Sequence, residues 1–417
     1  MGNPDMAASI TEQADQYLDS LAKALEIPPS RYEQAERSYK SLGDWLHREE
    51  STVAGYDPEV FVQGSFKLGT AIRPLSSSEE YDVDCACSLK GLTKSNLSQA
   101  DLKDLVGEEI KLYRKSKGIS KEVHCGQRCW RLEYSDGAQF HMDIVPCIPN
   151  GTSQRQLLEA RGLDTAFADS AIAITDNEVP KYPYITDEWP RSNPRGYAKW
   201  FESRMGDVFE SRRKKILNEM REKDVTASVE DIPIYRVRTP LQSAIMILKR
   251  HRDMMFKDNP KVKPISIIIS TLSAHAYGGE DTISRALLSI LARMEAAIQH
   301  DGENYVIRNP TDPLENFADK WAKHPERAEA FNDWLAQARE DFLGAAAHTE
   351  YGKISGILES RIGRNLTVAA QSAVVQSPNP GRATLLRSAT AASTSAAPNV
   401  SFADSDARIP KKPDGFA

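Results

Sequence analysis

Two aspartates one residue apart, Asp82 and Asp84, lie in the stretch Tyr81 to Leu89, YDVDCACSL. Read as a strand, this stretch alternates: Val83, Cys85 and Cys87 face one way, Asp82 and Asp84 the other. Two carboxylates on one strand face are about 6.5–7 Å apart at the Cα level, close enough to grip the same cations. A third comes from Gln139 to Pro146, QFHMDIVP, where Phe140, Met142 and Ile144 face inward and Asp143 lies on the polar face beside His141. Three such groups repel unless a divalent cation sits among them, and oxygen-only ligands favour Mg²⁺ or Mn²⁺ over zinc. Upstream, Gly64-Ser65 follows an apolar strand. Backbone N–H groups freed at such a turn, with the Ser65 hydroxyl, can hold a triphosphate. A lone Asp-x-Asp is ordinarily the wet side of an edge strand. The Gly-Ser turn and the third aspartate together favour a metal-assisted phosphate site.

The elements that must position these groups are legible in outline. Ile10, Ala14, Leu18, Leu21 and Leu25 share a helical face, Pro28-Pro29 breaks that helix, and Ser30 with Glu33 predicts a capping box for a second one through Leu46. After the Asp-x-Asp strand come a helix near Ser98 to Lys117 and a hairpin, Cys129 to Tyr134 and Gln139 to Ile148, turning at Ser135-Asp136-Gly137. Asn150 to Pro194 reads as connections with little regular structure. Gly196 to Glu222 is helical, and its run Arg212-Arg213-Lys214-Lys215 reads as a solvated face or as a basic wall on a cleft. Thr239-Pro240 opens a strong helix carrying Lys249, Arg250 and Arg252. Ile265 to Leu272 predicts a buried helix, and Glu303 to Trp321 a double-proline turn followed by an amphipathic helix, with Asn309 and Asn316 as braces. A final helix is expected over Ala328 to Ala347. From Ser377 the composition is too poor in large apolar residues to fold alone.

A length of 417 residues suggests two lobes sharing a cleft. Net charge −6 argues against a protein that coats nucleic acid generally, and the lack of a long apolar run predicts a soluble, cytoplasmic chain without membrane contact. Five cysteines fit a reducing compartment. Cys125 and Cys129, preceded by His124, have no second half for a zinc site and read as buried free thiols.

The text Gln63-Gly64-Ser65-Phe66-Lys67, Gly69-Thr70-Ala71-Ile72 and Glu80-Tyr81-Asp82-Val83-Asp84 resembles the bacterial cGAS/DncV-like nucleotidyltransferases (CD-NTases) of the polymerase-beta-like superfamily. The likeness spans roughly residues 10–375, departing at the long Pro74 to Glu80 connection. It implies an α+β fold: a nucleotidyltransferase core of mixed sheet and helices packed against an α-helical lobe. Residues 1–50 would hold the N-terminal helices with a spine, 51–195 the catalytic core, 196–375 the helical lobe, and 376–417 a disordered tail. It also implies synthesis of a cyclic di- or trinucleotide signal for anti-phage (CBASS) defence, with two Mg²⁺ ions, or Mn²⁺, on Asp82, Asp84 and Asp143. NTPs, ATP first among them, would bind at Gln63, Gly64, Ser65, Lys249 and Ser266. Some relatives are joined through their C-terminus to other molecules by an E1/E2-like ligase, which implies conjugation at Ala417. Two alternatives stay open: transfer of NMP onto RNA or protein, and a non-catalytic nucleotide or RNA sensor.

Overall fold

The computed structural model describes residues 10–74, 80–134, 140–222 and 237–376. Its elements begin with α1 (Glu12–Leu25), α2 (Pro29–Leu46), β1 (Pro58–Val62), α3 (Gly64–Leu68), β2 (Tyr81–Leu89) and α4 (Gln99–Ser116). There follow β3 (His124–Cys125), β4 (Trp130–Tyr134), β5 (Phe140–Pro149), α5 (Gly151–Glu159), β6 (Ile172–Ile174) and β7 (Arg191–Ser192). The helical half comprises α6 (Pro194–Glu222), α7 (Pro240–Met255), α8 (Ser266–Ala276) and α9 (Ile283–Arg293), then β8 (Gln299–Asp301), β9 (Asn304–Val306), β10 (Arg308–Asn309) and β11 (Asp312–Asn316). It ends with α10 (Pro325–Ala346), α11 (Tyr351–Ile362) and α12 (Arg364–Gln376).

The first half is a seven-stranded mixed sheet in the order β1-β2-β5-β4-β3, with β6 on β5 and β7 on β6. β2 and β5 pair in parallel, and the other pairs are antiparallel. Period-two alternation buries Val83, Cys85, Leu132, Met142 and Ile144 on one face, under residues of α2 and α4. The opposite face carries Asp82, Asp84, Arg131, Glu133, His141 and Asp143, and beyond them Ala86, Val145 and Cys147 join a smaller apolar cluster with Ile172 and Ile174. The approach of α4 depends on Gly107, where a Cβ would stand 2.3 Å from the Trp130 ring. The Trp130 indole donates to the Lys103 carbonyl at 2.8 Å, which fixes the ring beneath the helix.

The second core is helical, with α7 packed on α1, α8, α9, α10 and α11. Every residue of α7 from Pro240 to Arg252 is buried. Between Leu25 and Ile27 the N-terminal chain passes from this core to the sheet core, so α1 serves one half and α2 the other. α7 also reaches the loop after α3: Gln242 Nε2 donates to Leu68 O and Lys249 Nζ to Thr70 O, both at 2.9 Å, while Arg250 donates to Arg73 O. A capping box between Thr239 and Gln242, with Pro240 in the first turn, fixes where α7 begins.

Several sequence expectations are corrected. Pro29 occupies the first turn of α2, so Ser30 lies inside the helix and makes no cap; proline's fixed φ starts the helix one residue early. Residues 150–194 contribute α5 and strands β6 and β7. After Pro310 the chain forms β11, with Pro313 inside it, and then one 3-10 turn, Asp319–Trp321, instead of an amphipathic helix. Asn316 braces this region, accepting from Ile307 N and Ala318 N and donating to Tyr305 O. α10 is followed by α11 and α12. Cys125 is exposed and Cys129 half-buried, whereas Cys85, Cys87 and Cys147 are buried; all five are free. The 135–137 turn and Ala417 lie outside the described residues. Among the described residues no helix is long and apolar enough to cross a membrane.

Gly107→Ala tests the sheet packing, since the Trp130 ring must shift to admit the methyl group. A stability loss of about 1–3 kcal/mol in urea unfolding is expected. Unchanged stability would contradict the close α4–β4 contact.

Candidate active site

Strand register assembles the site. The parallel β2–β5 pair sets Asp82 opposite His141 and Asp84 opposite Asp143, and the antiparallel β4–β5 pair sets Arg131 opposite Asp143 and Glu133 opposite His141. Two rows of charge thus cross the polar face: Asp84, Asp143, Arg131, and Asp82, His141, Glu133. Ligating atoms of Asp82, His141 and Asp143 lie within 4.8 Å of one another. His141 Nε2 is 3.2 Å from Asp82 Oδ1, and this partner raises the imidazole pKa. Arg131 clasps Asp143 with two hydrogen bonds, Nε to Oδ1 at 2.8 Å and Nη2 to Oδ2 at 2.7 Å.

Asp84 sits under the turn between β1 and α3. Gln63 N donates to Asp84 O at 2.8 Å, and Gly64 follows at φ 61°. A Cβ on Gly64 would stand 2.1 Å from Asp84 Oδ2. Only glycine combines that backbone conformation with that approach. Burial, then the charges of Asp82 and Asp143, push the Asp84 carboxyl up to about 7 against the pull of Lys249 and His141.

A cleft of about 810 Å³ opens beside this turn, and Gly64, Ser65, Asp82, Asp84, Lys249 and Ser266 all line it. Lys249 is 6% exposed. Burial, then neighbouring Arg252, draws its amine down to about 8, opposed by Asp253, Asp84 and Asp82. Ser266 opens α8 and accepts from Arg252 Nη1 at 2.9 Å. Gln63 faces a neighbouring pocket of about 300 Å³ that Gly64 and Asp84 also line. Of the basic run on α6, Arg212 donates to the carbonyls of Arg238 and Asp281, and Lys214 and Lys215 are exposed.

Sequence reasoning did not assign Arg131, His141 or the pocket residues Asn309, Glu315 and Phe317. Parity within β5 already put His141 on the polar face, whereas setting Arg131 opposite Asp143 needs the β4–β5 register. Glu315, far along the chain from both carboxylate strands, carries no local signal.

Residues 58–146 match the family model for the nucleotidyltransferase domain of cyclic GMP-AMP synthase DncV-like proteins. Those residues form a DncV-like nucleotidyltransferase domain. The chain is 28% identical over 330 residues to a c-di-GMP synthase of Roseivirga ehrenbergii, covering 78% of its own length and 77% of the relative's. It is 25% identical over 322 residues to the cyclic dinucleotide synthase CdnG of Bradyrhizobium diazoefficiens, covering 74% and 70%. It shares the fold of the GTP-bound Bradyrhizobium diazoefficiens CdnG structure at TM-score 0.64 and 19% identity, over 87% of this chain and 99% of that one.

The crowding at Asp84 has a pH signature. Its folded value of about 7 stands above the ordinary 3.8. Between those limits the folded, metal-free nucleotidyltransferase therefore binds a proton that the unfolded chain has lost. The corresponding stability is fully present below about pH 4 and lost as pH rises through about 7. In EDTA the melting temperature should fall across this window, and Asp84→Asn should flatten the fall. Identical profiles for the two proteins would contradict the crowding.

Proposed function

We propose that this nucleotidyltransferase joins NTPs, GTP among them, into a cyclic dinucleotide that acts as a second messenger in anti-phage defence. The observation that carries the reading is the convergence of Gly64, Ser65, Lys249 and Ser266 with Asp82 and Asp84 on one cleft, with Asp143 in register behind them. The names of both curated relatives support the cyclic product, and that of the Roseivirga ehrenbergii c-di-GMP synthase favours guanine over the ATP expected from sequence.

The donor set fits a hard divalent cation: carboxylate oxygens crowded enough to hold Asp84 near 7, with one imidazole beside them. Asp82 and Asp84 would hold two Mg²⁺ ions and Asp143 one of them. Bound there, the ions would neutralise charge on the attacking and leaving oxygens of an in-line displacement. Gly64 and Ser65 hold the β,γ-phosphates, Lys249 offsets their charge as pyrophosphate leaves, and Asp143 draws the proton from the acceptor hydroxyl. The Lys249 bond to Thr70 O keeps the ammonium aimed along the α3 loop.

The base would occupy the adjoining 300 Å³ pocket, between Tyr197 and Phe317, with Glu315 on its edge. Glu315 Oε2 accepts from Asn309 Nδ2 at 2.7 Å. A carboxylate accepts from both N1–H and N2–H₂ of guanine, whereas adenine presents an acceptor at N1. Glu315→Gln should lower kcat/KM for GTP about ten- to a hundred-fold, the loss of one charge-assisted contact, and spare ATP. Equal losses for both bases would move base reading elsewhere.

The overall test is incubation with labelled NTPs and Mg²⁺ followed by phosphatase and mass spectrometry. Phosphatase-resistant guanine-containing cyclic dinucleotides are expected from the wild type and none from Asp82→Ala/Asp84→Ala, which should remain folded. Turnover retained in that variant would sink the site, and label found only in linear products, RNA or protein would sink the cyclisation.

A further inference from the structure

The third carboxylate of the site is already occupied by a side chain of the protein. Both oxygens of Asp143 accept from the forked guanidinium of Arg131, one strand over in register. Asp143 is 13% exposed in its side chain, and Arg131 is 43% exposed, with room to swing outward. Among the carboxylates of the site, Asp82 has the His141 imidazole as its neighbour and Asp84 the ammonium of Lys249 within its field. Among the described residues around these carboxylates, Arg131 alone makes two parallel bonds to one of them, the geometry that makes such pairs strong and directional.

We infer that Arg131 is a built-in counter-cation that positions Asp143 while no metal ion is bound and competes with the ion for that carboxylate. The inference rests on the metal-site reading above. Each Asp143 oxygen keeps a lone pair outside the fork, but a cation bonded there draws on the same negative charge and faces the guanidinium at close range, so the two compete for the carboxylate. Arg131 then sets the metal concentration at which the site fills, and its release couples ion entry to a movement on the open side of β4. It is a positioning residue: its contact is with Asp143, and phosphate and base are held by other groups.

The test is Mn²⁺ binding to the full chain by electron paramagnetic resonance titration, with melting temperatures in EDTA alongside. Arg131→Gln should bind Mn²⁺ about ten-fold more tightly or better and melt lower than wild type without metal, because Asp143 loses its partner. Arg131→Lys keeps the charge but cannot fork, so its Mn²⁺ affinity should move toward that of Arg131→Gln. That comparison also stands should Arg131→Gln fail to fold without metal. Unchanged or weaker Mn²⁺ binding by Arg131→Gln overturns the inference, and a lysine variant equal to wild type overturns competition by the fork. If Asp82→Ala/Asp84→Ala leaves Mn²⁺ binding intact, the metal-site reading itself fails, and the role of Arg131 fails with it.

Discussion

Like charges forced together on one sheet face are the constraint around which this protein is arranged. The parallel pairing of β2 and β5 sets Asp84 beside Asp143 and leaves Asp82 one step along the same face. Water cannot relieve that crowding fully, because Asp84 is pressed beneath Gly64, and its carboxyl is pushed up to about 7. The neighbourhood answers with positive groups from three directions: Arg131 from β4, His141 from β5 and Lys249 from α7. A buried lysine drawn down to about 8 beside an aspartate raised to about 7 marks a place where burial outweighs the attraction between them. Such opposed shifts are usual where charge is to be exchanged with a ligand.

The helical half supplies the other wall of the cleft. Its centre is α7, buried from Pro240 to Arg252 although this stretch includes Gln242, Lys249, Arg250, His251 and Arg252. Their polar atoms are accommodated by the loop after α3 and by neighbouring helices: Gln242 on Leu68, Lys249 on Thr70, Arg250 on Arg73, His251 on Asp341, Arg252 on Pro264 and Ser266. The same hydrogen bonds that satisfy the helix hold the α3 loop against it. The cleft residues Gly64 and Ser65 of the sheet half and Lys249 of the helical half are thereby fixed relative to each other.

The carboxylate strand and the glycine turn were legible because their signals are local. Alternation over Tyr81 to Leu89 separates Val83 and Cys85 from Asp82 and Asp84, and glycine before serine marks a turn. What the sequence withheld is non-local. The β4–β5 hairpin was expected, but the parallel pairing of β2 with β5 and the register that sets Arg131 opposite Asp143 are announced by no residue near those positions. The helix boundary at Pro29 turned on a competition between two local rules, a serine cap and a first-turn proline, and the proline prevailed. Glu315 joins the site only because β11 and its neighbours fold back toward Gln63 and Tyr197. The Asn309 and Asn316 braces were expected, but the small strands they hold were hidden by the prolines around them.

The most direct measurement of the account is anomalous diffraction from crystals grown with Mn²⁺ and a non-hydrolysable GTP analogue. The predicted result is manganese at Asp82, Asp84 and Asp143, the triphosphate against Gly64, Ser65 and Lys249, and guanine in the pocket beside Glu315. Manganese absent from those carboxylates, or a nucleotide bound outside this cleft, would contradict it.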